Sequence, residues 1–271
     1  MRLPLYQIDA FASAVFSGNP AGVCPLERWL PDATMQSIAA ENNVAETAFF
    51  VPRRPAAGGS AASDGGTPYD LRWFSPETEI DLCGHATLAS GYVVFTALEP
   101  ARQDVTFHTR SGPLTVRRDG DDLSMDFPAR PPERCDAHAE LNAALGATPR
   151  ELWRSRDLMA VFDAEEDVRA LKPSFDGIRA LGVFGVIATA PGREVDFVSR
   201  FFAPLQGVPE DPATGSAHCT LTPYWAKRLG RKRLRARQIS ARVGELRCED
   251  RGERVTIAGR AVKYLEGTID V

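Results

Sequence analysis

The sequence predicts an α+β fold made of two similar halves, with short strands in the majority and one apolar helix in each half. Three observations carry this. Strand-forming stretches bounded by Gly, Pro, Asn and Asp recur from end to end. The pattern Arg, aromatic, Phe, small residue, Pro occurs twice, in "LRWFSP" (Leu71 to Pro76) and "SRFFAP" (Ser199 to Pro204). Each copy leads through a loop with an acidic residue to a glycine and then an apolar helix, the mark of an internal repeat.

In chain order, "LPLYQIDAF" alternates as an opening strand, and "AGVCPL" follows the turn-forming "SGNP" as a second. Asp32 is placed to cap a short helix, whose apolar positions Met35, Ile38 and Ala39 keep helical spacing and which Asn42 and Asn43 end. "AETAFFV" returns to strand composition. Arg53 to Pro68, "RRPAAGGSAASDGGTP", has no periodicity and is expected to be a weakly ordered excursion between strands. "YDLRWF" is a strand, and "GHATLASGYVVFTAL" lacks a charged face, so other structure must wrap it. "VTFHTRSGPLTVRRDGDDLSMDF" reads as successive strands with Asp-Gly at a hairpin tip, and "AHAELNAALG" and "DAEEDVRALKP" as two short helices. "VFGVIATA" and "VDFVSRFFAP" are strands, the chain after Gly215 is helical, and "RQISARVGEL", "ERVTIAG" and "AVKYLEGTIDV" finish it as short strands.

The repeat has a chemical consequence. Arg72 recurs as Arg200 and Gly84 as Gly215, with the second loop three residues longer. A strand, a loop and a helix that starts at glycine leave the first helical N–H groups without partners, where the helix dipole adds partial positive charge. Each half therefore offers an anion site. Two such helix starts aimed into one cleft would stabilise a substrate carboxylate and developing enolate-like charge, and a base would complete the apparatus.

Composition narrows the alternatives. With 44% hydrophobic and 25% charged residues the chain has the makings of a substantial core, and a formal charge of −4 gives no general case for nucleic acid or an anionic membrane. The N-terminus has no uninterrupted apolar run, and no stretch approaches the roughly 20 residues that span a bilayer. A cytoplasmic setting is expected, with no membrane partner. The cysteines, Cys24, Cys83, Cys135, Cys219 and Cys248, are dispersed, odd in number and without a C-x-x-C pair, which favours reduced thiols over disulfides or structural zinc.

Taken together, "IDAFASAVFSGNPAGV", "NNVAETAFF", "LRWFSPETEIDLCGHATLA", "LSMDFP", "RFFAP" and "EDPATGSAH" resemble the PhzF-like proteins, the phenazine-biosynthesis-like isomerases of the diaminopimelate-epimerase fold. The resemblance spans nearly the whole chain. It implies two pseudosymmetric lobes, each a β-barrel-like sheet around a central helix: residues 1–118 joined by the final strand 261–271, and residues 119–260. It implies a cofactor-independent isomerase that moves a proton on a small carboxylate-bearing substrate in the interlobe cleft. The family's acid/base glutamate falls on Glu46, its motif histidine on His85 and its motif aspartate on Asp211. Gly84, Gly215 and Ser216 fall where backbone and hydroxyl groups hold substrate, and Asn19 of "GNPAG" on the cleft wall. A homodimer is compatible with the resemblance, and nothing in the residues themselves specifies an interface. Substrate identity is not encoded in these motifs.

Other readings stand beside this one. Glu46 could be a salt-bridged strand residue, His85 a first-turn polar residue, Asp211 a turn residue before Pro212 and Ser216 an ordinary helix-start serine. Cys83 lies where diaminopimelate epimerases carry one of two thiols, but its internal mate is Thr214, whose hydroxyl cannot act as the second acid/base at neutral pH. A two-base racemase using Glu46 and Cys83 remains an alternative, as does a non-catalytic small-anion binding protein. The run from Lys227 to Arg242 holds eight basic residues and no acid. Without interleaved aromatics it reads as a solvated basic face, with cations at a helix C-terminus, and no nucleic-acid partner is expected. A metal site from Cys83, His85, His218 and Cys219 is disfavoured because His218 and Cys219 are adjacent, and no metal is expected.

Overall fold

The computed structural model describes residues 1–53, 67–136 and 139–271. The expected excursion between Arg53 and Pro68 lies outside the described residues except at its ends, as do the first two residues of "AHAELNAALG". The described residues form eighteen strands and six α-helices, a mixed α and β structure dominated by sheet. The chain divides into two compact units, Met1–Met125 with Ala258–Val271, and Asp126–Ile257. The first division falls inside the strand Asp122–Pro128, after Met125, which pairs with Val116 of the strand Gly112–Asp119.

The first unit runs β1 (Arg2–Ala10), β2 (Asn19–Pro25), α1 (Asp32–Asn42), β3 (Glu46–Pro52), β4 (Tyr69–Phe74), β5 (Glu79–Ile80), α2 (Gly84–Val93), β6 (Asp104–Thr109), β7 (Gly112–Asp119) and β8 (Asp122–Pro128). β1 is antiparallel to β2, β2 parallel to β3, β3 antiparallel to β4, and β4 parallel to β6. β2 begins at Asn19 itself, so half of the turn-like "SGNP" is strand. Asp32 is the first helical residue and makes no cap; Pro31 stands at the N-cap, and the Asp32 carboxylate instead accepts from Arg72 Nη1 at 2.8 Å. Asn43 closes α1 in the left-handed region at φ 48°, a conformation that asparagine tolerates better than most residues.

α2 packs against β1, β2, β3, β6 and β7, and eight of its ten residues are buried. A helix this apolar on all sides requires such surroundings. Its hydroxyls are satisfied internally: Thr87 donates to Cys83 O at 2.5 Å and Ser90 to Ala86 O at 2.8 Å. Gly91 permits close approach of β7, because a Cβ there would lie 2.7 Å from Val116 Cγ1. A π-helical turn, Val94–Leu98, continues the helix.

The second unit contains β9 (Glu133–Arg134), α3 (Ala139–Leu145), β10 (Glu151–Arg154), β11 (Leu158–Val161), α4 (Glu165–Ala170), α5 (Phe175–Ala180), β12 (Val186–Pro191), β13 (Phe197–Ala203), β14 (Val208–Asp211), α6 (Gly215–Leu229), β15 (Arg233–Gln238) and β16 (Gly244–Asp250). β11 is parallel to β12, β12 antiparallel to β13, and β13 parallel to β15. The pattern reading missed β10, β11 and α5. The strands are four residues each, and α5 carries Gly177, whose N–H the N-cap Ser174 hydroxyl accepts at 3.1 Å. Leu141, Leu145, Val168 and Ile178 of α3 to α5 share one apolar core with Val186, Ala188, Val198 and Phe202. In α6, Trp225 stacks on Phe197 at 5.7 Å and donates through Nε1 to Thr189 Oγ1 at 3.0 Å.

β17 (Arg254–Gly259) leads to β18 (Ala261–Asp270), which pairs antiparallel with β1 from Arg2↔Asp270 to Ala10↔Ala261 within the first unit. The basic run is strand more than face: Arg231 pairs with Asp196, Arg233 with Glu249 at 3.3 Å, and Arg237 with Glu194 at 3.1 Å. No helix among the described residues is long and apolar enough to cross a membrane.

Candidate active site

The expected site residues fall into one group in each unit. In the first, Asn19 begins β2, Glu46 begins β3, and Cys83, Gly84 and His85 form the junction into α2. The parallel register Ala21↔Glu46 sets the two strand starts side by side. Gly22 allows this approach, since a Cβ there would lie 2.8 Å from Thr47 Oγ1. Thr47 is fully buried and accepts from Asn42 Nδ2 at 3.1 Å, which fastens the end of α1 to the start of β3.

His85 is the hub of this group. Its Nε2 lies 3.0 Å from Glu46 Oε2, with 6% and 13% of the two side chains exposed. Its Nδ1 faces Asn19 Nδ2 at 3.2 Å and Cys83 Sγ at 3.5 Å. Burial disfavours the imidazolium, but the charge of Cys83 when its thiol is ionised, together with the Glu46 carboxylate, outweighs it and holds the His85 pKa above its ordinary value. Burial pushes the Cys83 thiol up to about 11, the neighbouring Glu46 adding to the rise, so the thiol stays protonated at neutral pH. With the Asn19 amide donating to Nδ1, the neutral ring carries its proton on Nε2. The imidazolium needs that amide turned so that its oxygen faces the ring. Both forms leave Nε2 beside Glu46 Oε2 at 3.0 Å, within ion-pair distance but off the line of a hydrogen bond.

Glu46, Cys83 and His85 are also close enough together to be considered as metal ligands. His85 turns one ring nitrogen to Glu46 and the other to Cys83, and those lone pairs diverge.

In the second unit Asp211 ends β14 and Thr214 stands at the N-cap of α6. Thr214 Oγ1 donates to Asp211 Oδ2 at 2.5 Å. Gln238, fully buried at the end of β15, accepts from Thr214 N at 2.8 Å and donates to Asp211 O at 2.7 Å and Thr214 Oγ1 at 3.1 Å. Ser240 Oγ donates to Pro212 O at 2.8 Å. The loop is thus braced along its length. A Cβ at Gly215 would meet nothing within 4 Å, so packing does not require glycine there and the first turn of α6 opens onto free space. Ser216 Oγ accepts from Arg156 Nη2 at 3.1 Å. His218 donates from Nδ1 to Thr214 O at 2.8 Å, and burial brings its pKa down to about 4, so it is a neutral core histidine.

Each unit also holds an arginine clamp on the loop that leads to its helix. Arg72 binds Glu79 through Nε and Nη2 at 2.7 and 2.8 Å and lies 5.1 Å over the Phe74 ring. Arg200 binds Glu210 through the same atoms at 2.8 Å each and lies 5.0 Å over Phe202. The repeated arginine and the acidic residue after it were visible in the sequence, but their pairing was not inferred. Gln238 carries no local signal, since its partners are remote in the chain, and neither does the bond from Arg156 to Ser216.

Known proteins agree with this architecture. The profile of the family described as "Phenazine biosynthesis-like protein" matches residues 8–267. An uncharacterized isomerase of Pseudomonas aeruginosa is 50% identical over 269 residues, covering 99% of each chain. The crystal structure of a PhzF-family phenazine biosynthesis protein from Enterococcus faecalis superimposes with a TM-score of 0.93 at 46% identity over 100% of both chains. A hydroxyproline epimerase from Agrobacterium vitis, 11% identical and covering 99% of this chain and 92% of its own, shares the fold with a TM-score of 0.59.

Proposed function

Because the chain belongs to the phenazine biosynthesis-like protein family and is an isomerase, we propose that it transfers a proton on a small carboxylate-bearing substrate with Glu46 as the single acid/base. The observation that carries this reading is the half-enclosed Glu46 carboxylate, 3.0 Å from His85 Nε2 beside the start of α2. Glu46 removes a proton from an acidic substrate carbon; the C–H bond breaks, an O–H bond forms on Glu46, and the electron pair delocalises toward the substrate carboxylate. Where a C=C is conjugated with that carbon, Glu46 delivers a proton, exchangeable with solvent while it rests on the carboxyl group, to the far end of the conjugated system; the double bond shifts and Glu46 is a carboxylate again. His85 orients Glu46 and accompanies the change in its charge. The N–H groups at the starts of α2 and α6, with Gly84, Gly215, Asp211 and Ser216, are assigned to holding substrate charge. Asn19 fixes the imidazole.

Cys83 is assigned to packing and to the His85 ring. Its pKa of about 11 counts against a resting thiolate base, which weighs against the two-base racemase. The proposal also keeps the expectations of a cofactor-free reaction, a cytoplasmic setting and descent of both halves from one duplicated barrel-and-helix unit. The matched Arg72–Glu79 and Arg200–Glu210 clamps support the duplication.

Solvent exchange tests the assignment. The protein is incubated in D₂O with a panel of α- and β-protic carboxylates, and label is read by mass spectrometry. The parent incorporates deuterium into a turned-over substrate, and Glu46→Gln slows this by at least a hundredfold. Label entering at the parental rate in Glu46→Gln would remove Glu46 from the chemistry.

A further inference from the structure

Arg156 follows the short strand β10 in the second unit, and its side chain is 29% exposed. The guanidinium spends Nε and Nη2 on Asp157, at 3.3 and 3.2 Å, and Nη2 also donates to Ser216 Oγ at 3.1 Å. Asp157 is fully buried; burial raises its carboxyl pKa and Arg156 pulls it back. The Phe184 ring lies 3.9 Å from the guanidinium carbon, a close cation–π contact that limits the swing of the arginine. Nη1 has no partner among the described residues. Arg156 is therefore held on two sides, by a buried carboxylate and by an aromatic face, and is aimed at one hydroxyl.

That aim decides where the Ser216 proton goes. A hydroxyl oxygen that accepts from a cationic donor directs its own O–H elsewhere, and its donor strength rises because the accepted bond polarises it. Ser216 is in the first turn of α6, where Gly215 leaves open space. We propose that Arg156 is a positioning residue for the isomerase: it acts through Ser216, turning the hydroxyl proton toward the substrate carboxylate at the start of α6. The role extends to the substrate class. A substrate held this way presents a carboxylate to Ser216, and the uncommitted Nη1 favours a second anionic oxygen nearby over an apolar group.

The inference rests on the assignment of the α6 start to substrate charge, and malonate binding to the full chain tests it by isothermal titration calorimetry. Arg156→Met weakens malonate about tenfold, and Ser216→Ala weakens it by a similar factor. The double variant is within about twofold of Ser216→Ala, because an arginine that acts through Ser216 has nothing left to act on. Arg156→Lys, which retains the charge and a donor, recovers part of the loss. The parent also prefers malonate to acetate by a larger factor than Arg156→Met does. Multiplying losses in the double variant, parental affinity in Arg156→Met, or no malonate binding to the parent would each overturn the proposal. So would a loss of affinity that follows lost amide protection throughout α6 and that Arg156→Lys does not recover. Failure here is separable from failure of the proton-transfer function: exchange with Arg156-independent malonate binding refutes this role alone, and Arg156-dependent binding without exchange refutes the chemistry alone.

Discussion

Replacing Gln238 tests whether the Asp211 loop is held by one buried amide. Gln238 is fully buried and makes three hydrogen bonds to the loop, at 2.7, 2.8 and 3.1 Å. At about 1 kcal/mol net for each bond, with the stranded Thr214 N–H and Asp211 C=O adding to the cost, Gln238→Ala should lose about 3–4 kcal/mol. Gln238→Glu keeps an acceptor for Thr214 N but sets a second oxygen against Asp211 O, and should lose at least as much. The assay is urea unfolding with parental slope as the criterion of an unchanged transition, together with hydrogen exchange at the Thr214 amide. The lost protection should be largest at Thr214. A loss below about 1 kcal/mol, or an unchanged Thr214 exchange rate, would show that the rest of the loop holds itself and that the bracing argument is wrong.

Three further outcomes follow from the same structure. His218 has a folded pKa of about 4 against an ordinary 6.5, so its contribution is present above pH 6.5 and is lost as pH falls through 4; linkage sets the loss at about 3 kcal/mol, read as urea midpoints that decline less steeply in His218→Leu than in the parent. Gly91→Ala should cost about 1–2 kcal/mol because overpacking against Val116 exceeds the helix-propensity gain, and adding Val116→Ala should recover part of it in thermal unfolding; losses that simply add would place the strain elsewhere. Arg200→Met should destabilise by about 2–3 kcal/mol by stranding the Glu210 carboxylate, whereas Arg200→Met with Glu210→Leu should recover more than half in denaturant midpoints; no recovery would mean the arginine stabilises through Phe202 and the Val168 and Leu171 carbonyls that Nη1 also bonds.

Much of the organisation was legible along the chain because it is local. The β4 span, Tyr69–Phe74, coincides with "YDLRWF", and α2 and α6 begin at the two glycines the repeat singled out, Gly84 and Gly215. Strand alternation, turn residues and helix starts are written in neighbouring side chains, so periodicity reads them. Where the signal was short or shared, it failed. β10 and β11 have too few residues for a period, α5 breaks its pattern at Gly177, and Asp32 offered a cap that Arg72 had already claimed. The basic run looked uniform because the acids that answer it lie elsewhere in the chain, Glu194 and Asp196 in the loop before β13 and Glu249 in β16.

By itself the sequence, through the family its motif strings resemble, singled out Glu46, His85 and Asp211 as the residues expected to carry chemistry, and the repeat marked both helix starts. Only the tertiary structure decided what those residues do to one another. It set Nε2 of His85 against Glu46, turned Nδ1 toward Asn19 and Cys83, and gave Asp211 and Thr214 to Gln238. It also buried Cys83 beside Glu46, which pushes its thiol up to about 11, an effect no spacing records. The physical reason is range. Propensity and patterning act over a few residues, whereas desolvation and hydrogen-bond direction depend on which distant segments the fold brings within about 3 Å of a given atom.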